Sequence, residues 1–233
     1  MRCLVVLPTY NERENLLDII ESIQQHAPRT HILIVDDSSP DGTGELADDL
    51  TRKYPEEVFV IHRSQKEGLG RAYVAGFQLA LAHDYDVIVQ MDADFSHDPK
   101  YLPLFFERIE RNDLVIGSRY LKGISVINWD LKRLAMSKAA TQYVRLITSL
   151  PLTDATSGFK CWRREALQAI DLDSLFSNGY LFQIEMSYKA FRKKLRIAEV
   201  PIVFVERRLG RSKMNWAIIA EALLGVFRMR LRG

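Results

Sequence analysis

Cysteine is nearly absent: Cys3 and Cys161 are the only two in 233 residues. Two thiols are too few for a disulfide framework or a zinc cage, and Cys3, within an apolar run, reads as a buried strand residue. The five histidines are scattered, with no pair spaced for zinc. No stretch reaches the ~18–20 apolar residues of a membrane span, and no charged-then-apolar leader opens the chain; a cytoplasmic location is the expectation. The net charge of +2 gives no sign of a nucleic-acid partner. Phosphate-binding and nucleophile signatures are missing as well: no G-x-G-x-x-G follows the first apolar run, and there is no P-loop and no G-x-S-x-G. These absences argue against NAD chemistry, P-loop hydrolysis and serine hydrolysis.

What is present is a regular alternation. A 47% hydrophobic content supports a substantial core, and 27% charged residues a polar surface. Apolar runs at 3–7, 32–35, 58–61, 87–91 and 114–117 read as buried strands. Helical spacing follows Asn11, an N-cap whose Glu14 completes a capping box, and recurs at 44–54, 68–82 and 99–111. Strict alternation implies a parallel sheet with helices on both faces. Beyond Arg119 it breaks: a long helix over 129–150 ended by Pro151, a strand or hairpin at 156–163, and a helix at 181–193. Then come an extended stretch at 197–205, in which Pro201 suggests a sheet edge, and a helix at 216–230. No repeat or linker divides the chain, so one α/β domain is expected.

The fourth run ends in Met-Asp-Ala-Asp-Phe-Ser-His, residues 91–97. In an extended chain i and i+2 project to one side, so Asp92 and Asp94 would converge where the strand stops. With Ser96 two positions on, these hard oxygen donors suit Mg2+ or Mn2+; an acidic turn is the plainer alternative. The second strand also ends in paired carboxylates, Asp36 and Asp37. In a parallel sheet such residues gather at the carboxyl edge, where ligands bind. Arg119 ends the fifth strand at that edge, Arg133 opens the long helix, and Arg207, Arg211 and Lys213 surround Gly210 and Ser212. Cations beside a carboxylate centre fit a site that handles several phosphates. Gly68-Leu69-Gly70 is a lone fragment, read as close helix packing or a nucleotide-side turn. The last helix carries Trp216, Ile219, Leu223, Val226, Phe227 and Leu231 with Arg228, Arg230 and Arg232. It is either a core helix or a basic amphipathic helix lying on an anionic membrane surface.

Seven blocks together resemble the family-2 glycosyltransferases of the GT-A fold, and within them the dolichol- or polyprenol-phosphate mannosyltransferases. They lie at 7–15, 35–43, 91–97, 117–120, 129–133, 179–186 and 206–213, nearly the whole chain. The resemblance implies a Rossmann-like, mostly parallel GT-A domain over 1–213, followed by a membrane-surface helix over 214–233. It implies inverting transfer of mannose from GDP-mannose to dolichyl or polyprenyl phosphate, dependent on Mg2+ or Mn2+, at the cytoplasmic face of a membrane. The last helix, small membrane subunits, or both would hold the protein there. By the same resemblance Pro8, Tyr10, Glu12, Val35, Asp37, Asp92 and Ala93 contact the donor, while Asp92, Asp94 and Ser96 stand at the metal. Arg119, Arg133, Arg207 and Lys213 hold the donor diphosphate or the acceptor phosphate, and Ser137, a turn beyond Arg133, joins them. Asp92, Asp94 and Arg119 are the expected catalytic set. A UDP-sugar donor such as UDP-glucose remains open, since the base depends on contacts near Asp37 and Arg63. A non-catalytic nucleotide-sugar or lipid-phosphate binding module is the rival from another class.

Overall fold

A computed structural model describes residues 1–205 and 216–232. The first half keeps the alternation: β1 (Cys3–Thr9), α1 (Arg13–His26), β2 (His31–Asp36), α2 (Thr43–Lys53), β3 (Val58–His62), α3 (Leu69–Ala82) and β4 (Val87–Gln90). A single tight turn at Pro99–Tyr101 leads into α4 (Leu102–Ile109) and β5 (Leu114–Ser118). Then follow β6 (Val126–Ile127), α5 (Leu131–Thr148), β7 (Lys160–Arg163), α6 (Arg164–Ala169), α7 (Gly179–Arg192), β8 (Ile197–Pro201), β9 (Phe204–Val205) and α8 (Trp216–Arg232).

Seven strands form one sheet in the order β3-β2-β1-β4-β7-β5-β8, and β6 pairs with β9 apart from it. Side chains alternate across the pleat. Leu4, Val6, Leu33, Val35, Ile88, Ile116 and Trp162 face one core with Phe77 of α3, Phe182 of α7 and Val226 of α8. Val5, Leu7, Ile32, Ile34, Val89 and Cys161 face the other, with Ile20 of α1, Leu50 of α2 and Phe105 of α4. Each such buried side chain contributes about 1.5–3 kcal/mol.

The sheet is mostly but not wholly parallel. β7 runs antiparallel between β4 and β5, so the fifth strand is not the neighbour of the fourth that strict alternation implies. The two arginines at its end close helices on either side. Arg163 Nε donates to the carbonyls of Ile109 and Asn112 beyond α4, and Arg164 Nη2 donates to that of Leu81 in α3. Carbonyls left open by the helix ends are satisfied in this way. Pro201 does close an edge strand, since β8 is the outermost, but the extended stretch breaks there and Phe204–Val205 joins the small sheet instead.

The first helix starts differently from the capping-box pattern. Asn11 has φ +60 and Glu12 occupies the cap position with no side-chain cap bond. The Asn11 N–H donates to Ser39 Oγ (3.0 Å) and the Glu12 N–H to Thr43 Oγ1 (3.1 Å), so contacts to the loop after β2 set the entry. Gly68-Leu69-Gly70 proves to be close packing. Gly68 has φ +99, and a Cβ there or at Gly70 would press on Asn178, whose Oδ1 accepts from the N–H groups of both Gly70 and Gly179.

Candidate active site

β4 stops at Gln90, so Asp92 and Asp94 lie in the turn after the strand and strand pleating does not aim them. Hydrogen bonds do. Asp92 Oδ1 accepts from the Tyr73 hydroxyl (2.8 Å), and the Asp92 N–H donates to His97 Nδ1 (2.9 Å). Asp94 Oδ1 accepts from the Ser96 N–H (3.0 Å). Ala93, Asp94, Ser96 and His97 are buried, and Asp92 is partly exposed. Burial, then the charges of Asp92 and Asp94, push the Tyr73 phenol well above its usual range, so it stays a donor. Burial lowers the pKa of His97. The 3.8 Å approach of Asp92 Oδ2 to His97 Nδ1 is therefore not an ion pair, because that nitrogen presents a lone pair to the Asp92 amide.

Under the turn lies Lys160, fully buried, donating to the Gln183 carbonyl (2.6 Å) and Gln183 Oε1 (3.1 Å). Gln90 Nε2 donates to the same Oε1. Burial brings the Lys160 amine down to about 7 against the opposing pull of Asp154 and Asp92.

The donor set fits a hard divalent cation. Asp92, Asp94 and Ser96 offer oxygen only, and no group of three or more His, Cys, Asp or Glu side chains able to hold a metal occurs among the described residues. Two carboxylates make an incomplete shell, of the kind that Mg2+ completes with phosphate and water.

On the other side of β1, the two carboxylates of β2 have separate fates. Asp36 accepts from Thr9 Oγ1 (2.9 Å), Ser39 Oγ (2.6 Å) and the Ser39 N–H (3.0 Å) and is a structural clasp. Asp37 pairs with Arg63, which also reaches Glu67. Lys66 Nζ sits 3.4 Å over the Tyr10 ring. Glu12 Oε2 accepts from Asn15 Nδ2 (2.9 Å), and Pro8 lies opposite Val35 in the β1–β2 ladder. The Val35 side chain is fully buried in the core beneath Gly76, where it supports this corner from below.

The basic residues are brought together by partners that sequence reading missed. Arg119 is buried, with Nε and Nη2 forked onto Asp154 (2.6 Å each) and Nη2 also on Thr156 Oγ1 (2.7 Å). Nε and Nη2 are thus committed inside the protein. Its guanidinium lies 5.2 Å from the Trp129 ring and 5.4 Å from those of Tyr120 and Phe204. Arg133 covers Trp129 at 4.4 Å, and the Tyr120 hydroxyl donates to Ser137 Oγ (2.8 Å). Arg119, Arg133 and Ser137 therefore share one aromatic-lined corner. His97, edge-on to Phe204 at 6.1 Å, joins that corner to the acidic turn. Arg207 and Lys213, and the boundary drawn at 213, lie outside the described residues. Trp129, Tyr120 and His97 stood within recognisable blocks without an assigned role. Asp154 carried a weaker signal, a lone carboxylate in the run Leu152-Thr153-Asp154-Ala155-Thr156.

The architecture is that of the GT-A α/β enzymes. A crystal structure of glucosyl-3-phosphoglycerate synthase from Mycobacterium tuberculosis, in complex with Mn2+, UDP and glucosyl-3-phosphoglycerate, superposes with a TM-score of 0.69 over 99% of this chain and 79% of that one, at 20% identity. The chain belongs to glycosyl transferase family 2, whose family model matches residues 4–171, and it is a glycosyltransferase. It is 47% identical over 233 residues, all of this chain and 88% of the other, to polyprenol monophosphomannose synthase from Mycolicibacterium smegmatis. It is likewise 47% identical over 231 residues, 99% of this chain and 95% of the other, to undecaprenyl-phosphate mannosyltransferase from Micrococcus luteus.

Proposed function

We propose that the chain transfers mannose from GDP-mannose to a polyprenyl or dolichyl phosphate, giving the β-linked lipid phosphate sugar and GDP. The observation that carries this reading is the meeting of an acidic turn (Asp92, Asp94) with a basic, aromatic corner (Arg119, Arg133, Ser137) at one sheet edge. The relatives named above, similar over almost the full chain, support the substrate class.

The residues take the following parts. Tyr10, Asp37 and Arg63 bind the nucleoside, and Pro8 and Glu12 frame it. Asp92, Asp94 and Ser96 hold Mg2+ or Mn2+, which when bound supplies Lewis-acid stabilisation of the departing diphosphate. Arg133 and Ser137, with Arg207 and Lys213, hold the acceptor phosphate. Arg119, tied to Asp154, orients Trp129 and lends its positive field. An acceptor oxygen attacks the anomeric carbon as the bond to the diphosphate breaks, and the electron pair leaves on the diphosphate. A phosphate monoester is already ionised at neutral pH, so no general base is required, and direct displacement inverts the centre.

A lipid acceptor calls for a membrane surface. No helix among the described residues is long and apolar enough to cross one. Apart from Met1 and Leu17, the large apolar side chains exposed among them are Leu121, Ile124, Ile127, Leu131, Met136 and Leu146, and Leu223, Leu224, Phe227 and Leu231 of α8. In α8, Val226 and Met229 are buried in the core, which supports a helix whose inner face packs and whose outer face, with Arg228 and Arg230, is the part offered to the bilayer. Sedimentation with anionic vesicles should fall several-fold in Leu224→Asp/Phe227→Asp; undiminished sedimentation of the folded variant would remove α8 from the contact.

The deciding assay incubates the protein, Mg2+ and a short polyprenyl phosphate with GDP-mannose or with UDP-glucose. Lipid-linked mannose from GDP-mannose alone is expected. Product from UDP-glucose alone would keep the reaction type and overturn the donor.

A further inference from the structure

His97 belongs to none of the parts assigned above, yet it is buried at the centre of the acidic turn. Only 3% of it is exposed. Its ring stacks on Phe159 with centroids 5.0 Å apart and planes 16° apart, and it meets Phe204 edge-on. Gly158 lies so close that an added Cβ would come within 3.2 Å of His97 Cε1. Held in this way, the ring accepts the Asp92 N–H at Nδ1, at 2.9 Å. A backbone amide always donates, so Nδ1 is the unprotonated nitrogen and the ring is the neutral Nε2–H tautomer.

This bond closes residues 92–97 into a ring that contains both carboxylates. Within it Phe95 has φ +62, a left-handed conformation that is strained for an aromatic residue and persists only where its surroundings impose it. The Ser96 N–H to Asp94 Oδ1 bond spans the inner part of the loop, and the His97 bond spans the whole. Without an acceptor at Nδ1, the Asp92 amide would lose its partner in a partly buried turn and the loop would be free to leave the left-handed bend. We infer that His97 is a positioning residue: through its Nδ1 acceptor and its stacked ring it fixes the peptide that aims Asp92 and Asp94 at a divalent cation. The inference rests on the proposed role of those carboxylates at the metal. It differs from a core-filling histidine, which an apolar residue of similar size would replace.

Two substitutions separate the two. Asn carries Oδ1 where His carries Nδ1 and keeps the acceptor while losing the ring; Leu fills space and removes the acceptor. Mn2+ binding is measured by calorimetry in the presence of GDP without acceptor, with thermal melts beside it. His97→Leu should weaken Mn2+ binding by about tenfold or more, the usual scale for groups that orient metal ligands, and His97→Asn should stay within about threefold of wild type even if it melts lower. Equal Mn2+ binding by a folded His97→Leu, or equally weak binding by folded His97→Asn and His97→Leu, would overturn the inference. If His97→Leu does not fold, NMR of the wild type decides: a 15N–15N coupling across the bond between the Asp92 amide and His97 Nδ1 is expected, and a protonated Nδ1 overturns it. Failure of the wild type itself to bind Mn2+ with GDP would instead bring down the metal reading and the inference with it.

Discussion

Two strands on either side of β1 lead into pairs of carboxylates, and the fold holds the two pairs differently. After β2, Asp36 receives three donors from Thr9 and Ser39 and holds the loop that starts α1, while Asp37 turns to Arg63. After β4, Asp92 and Asp94 are held by a tyrosine hydroxyl and by a loop that bends back on itself at His97. The acid type is the same and so is the edge. The neighbours decide: hydroxyls that reach Asp36 from β1 and from its own loop complete its shell, whereas Asp92 and Asp94 stand beside the aromatic corner that contains Arg119.

The sharpest way to break this comparison is to delete one carboxylate from each pair. Asp94→Ala should lower transfer by about 100-fold or more, comparable to losing a key charge-stabilising group, with the melting temperature little changed; near-normal turnover with Mg2+ would equate the two pairs. Asp36→Ala should do the reverse. Its buried donors would lose their acceptor, at a cost of about 1–3 kcal/mol read by urea unfolding, while the rate per folded molecule stays within a few-fold. A large rate loss at full stability would make Asp36 part of the site.

A third test sharpens the electrostatic side of the comparison, because the β4 pair lies near a buried amine. With Lys160 lowered to about 7 from ~10.4 in the unfolded chain, the unfolded state binds the extra proton between those values. Stability should therefore rise with pH from about 7 upward, since the penalty for burying the charge is full below 7 and is relieved above it. Lys160→Met should flatten that rise when the two pH profiles are subtracted. Parallel profiles would mean that the amine titrates normally.

Much of the fold was legible along the chain. The apolar runs and the helical spacing placed the first five strands, because a strand buried on both faces leaves a short continuous apolar signature. The carboxyl-edge position of Asp37, Asp92 and Arg119 followed from parallel connection alone. The capping box at Asn11 misled because a local signature competes with tertiary bonds, here to Ser39 and Thr43. The direction of the Val35 side chain was not legible, because a strand residue faces one side of the sheet or the other according to the pleat, and here it faces the core.

The sequence by itself determined the alternating elements, the single α/β domain, the acidic turn and the blocks that mark the glycosyltransferase family, all of which are patterns of near neighbours. Only the tertiary structure decided that β7 enters antiparallel between β4 and β5, that Asp154 takes up Arg119, that α8 is half core and half surface, and that His97 grips the Asp92 amide. The Arg119–Asp154 pair joins residues 35 positions apart. Pairings at such separations depend on how strands are ordered in the sheet, and that order is set by packing the whole core rather than by any local run of residues.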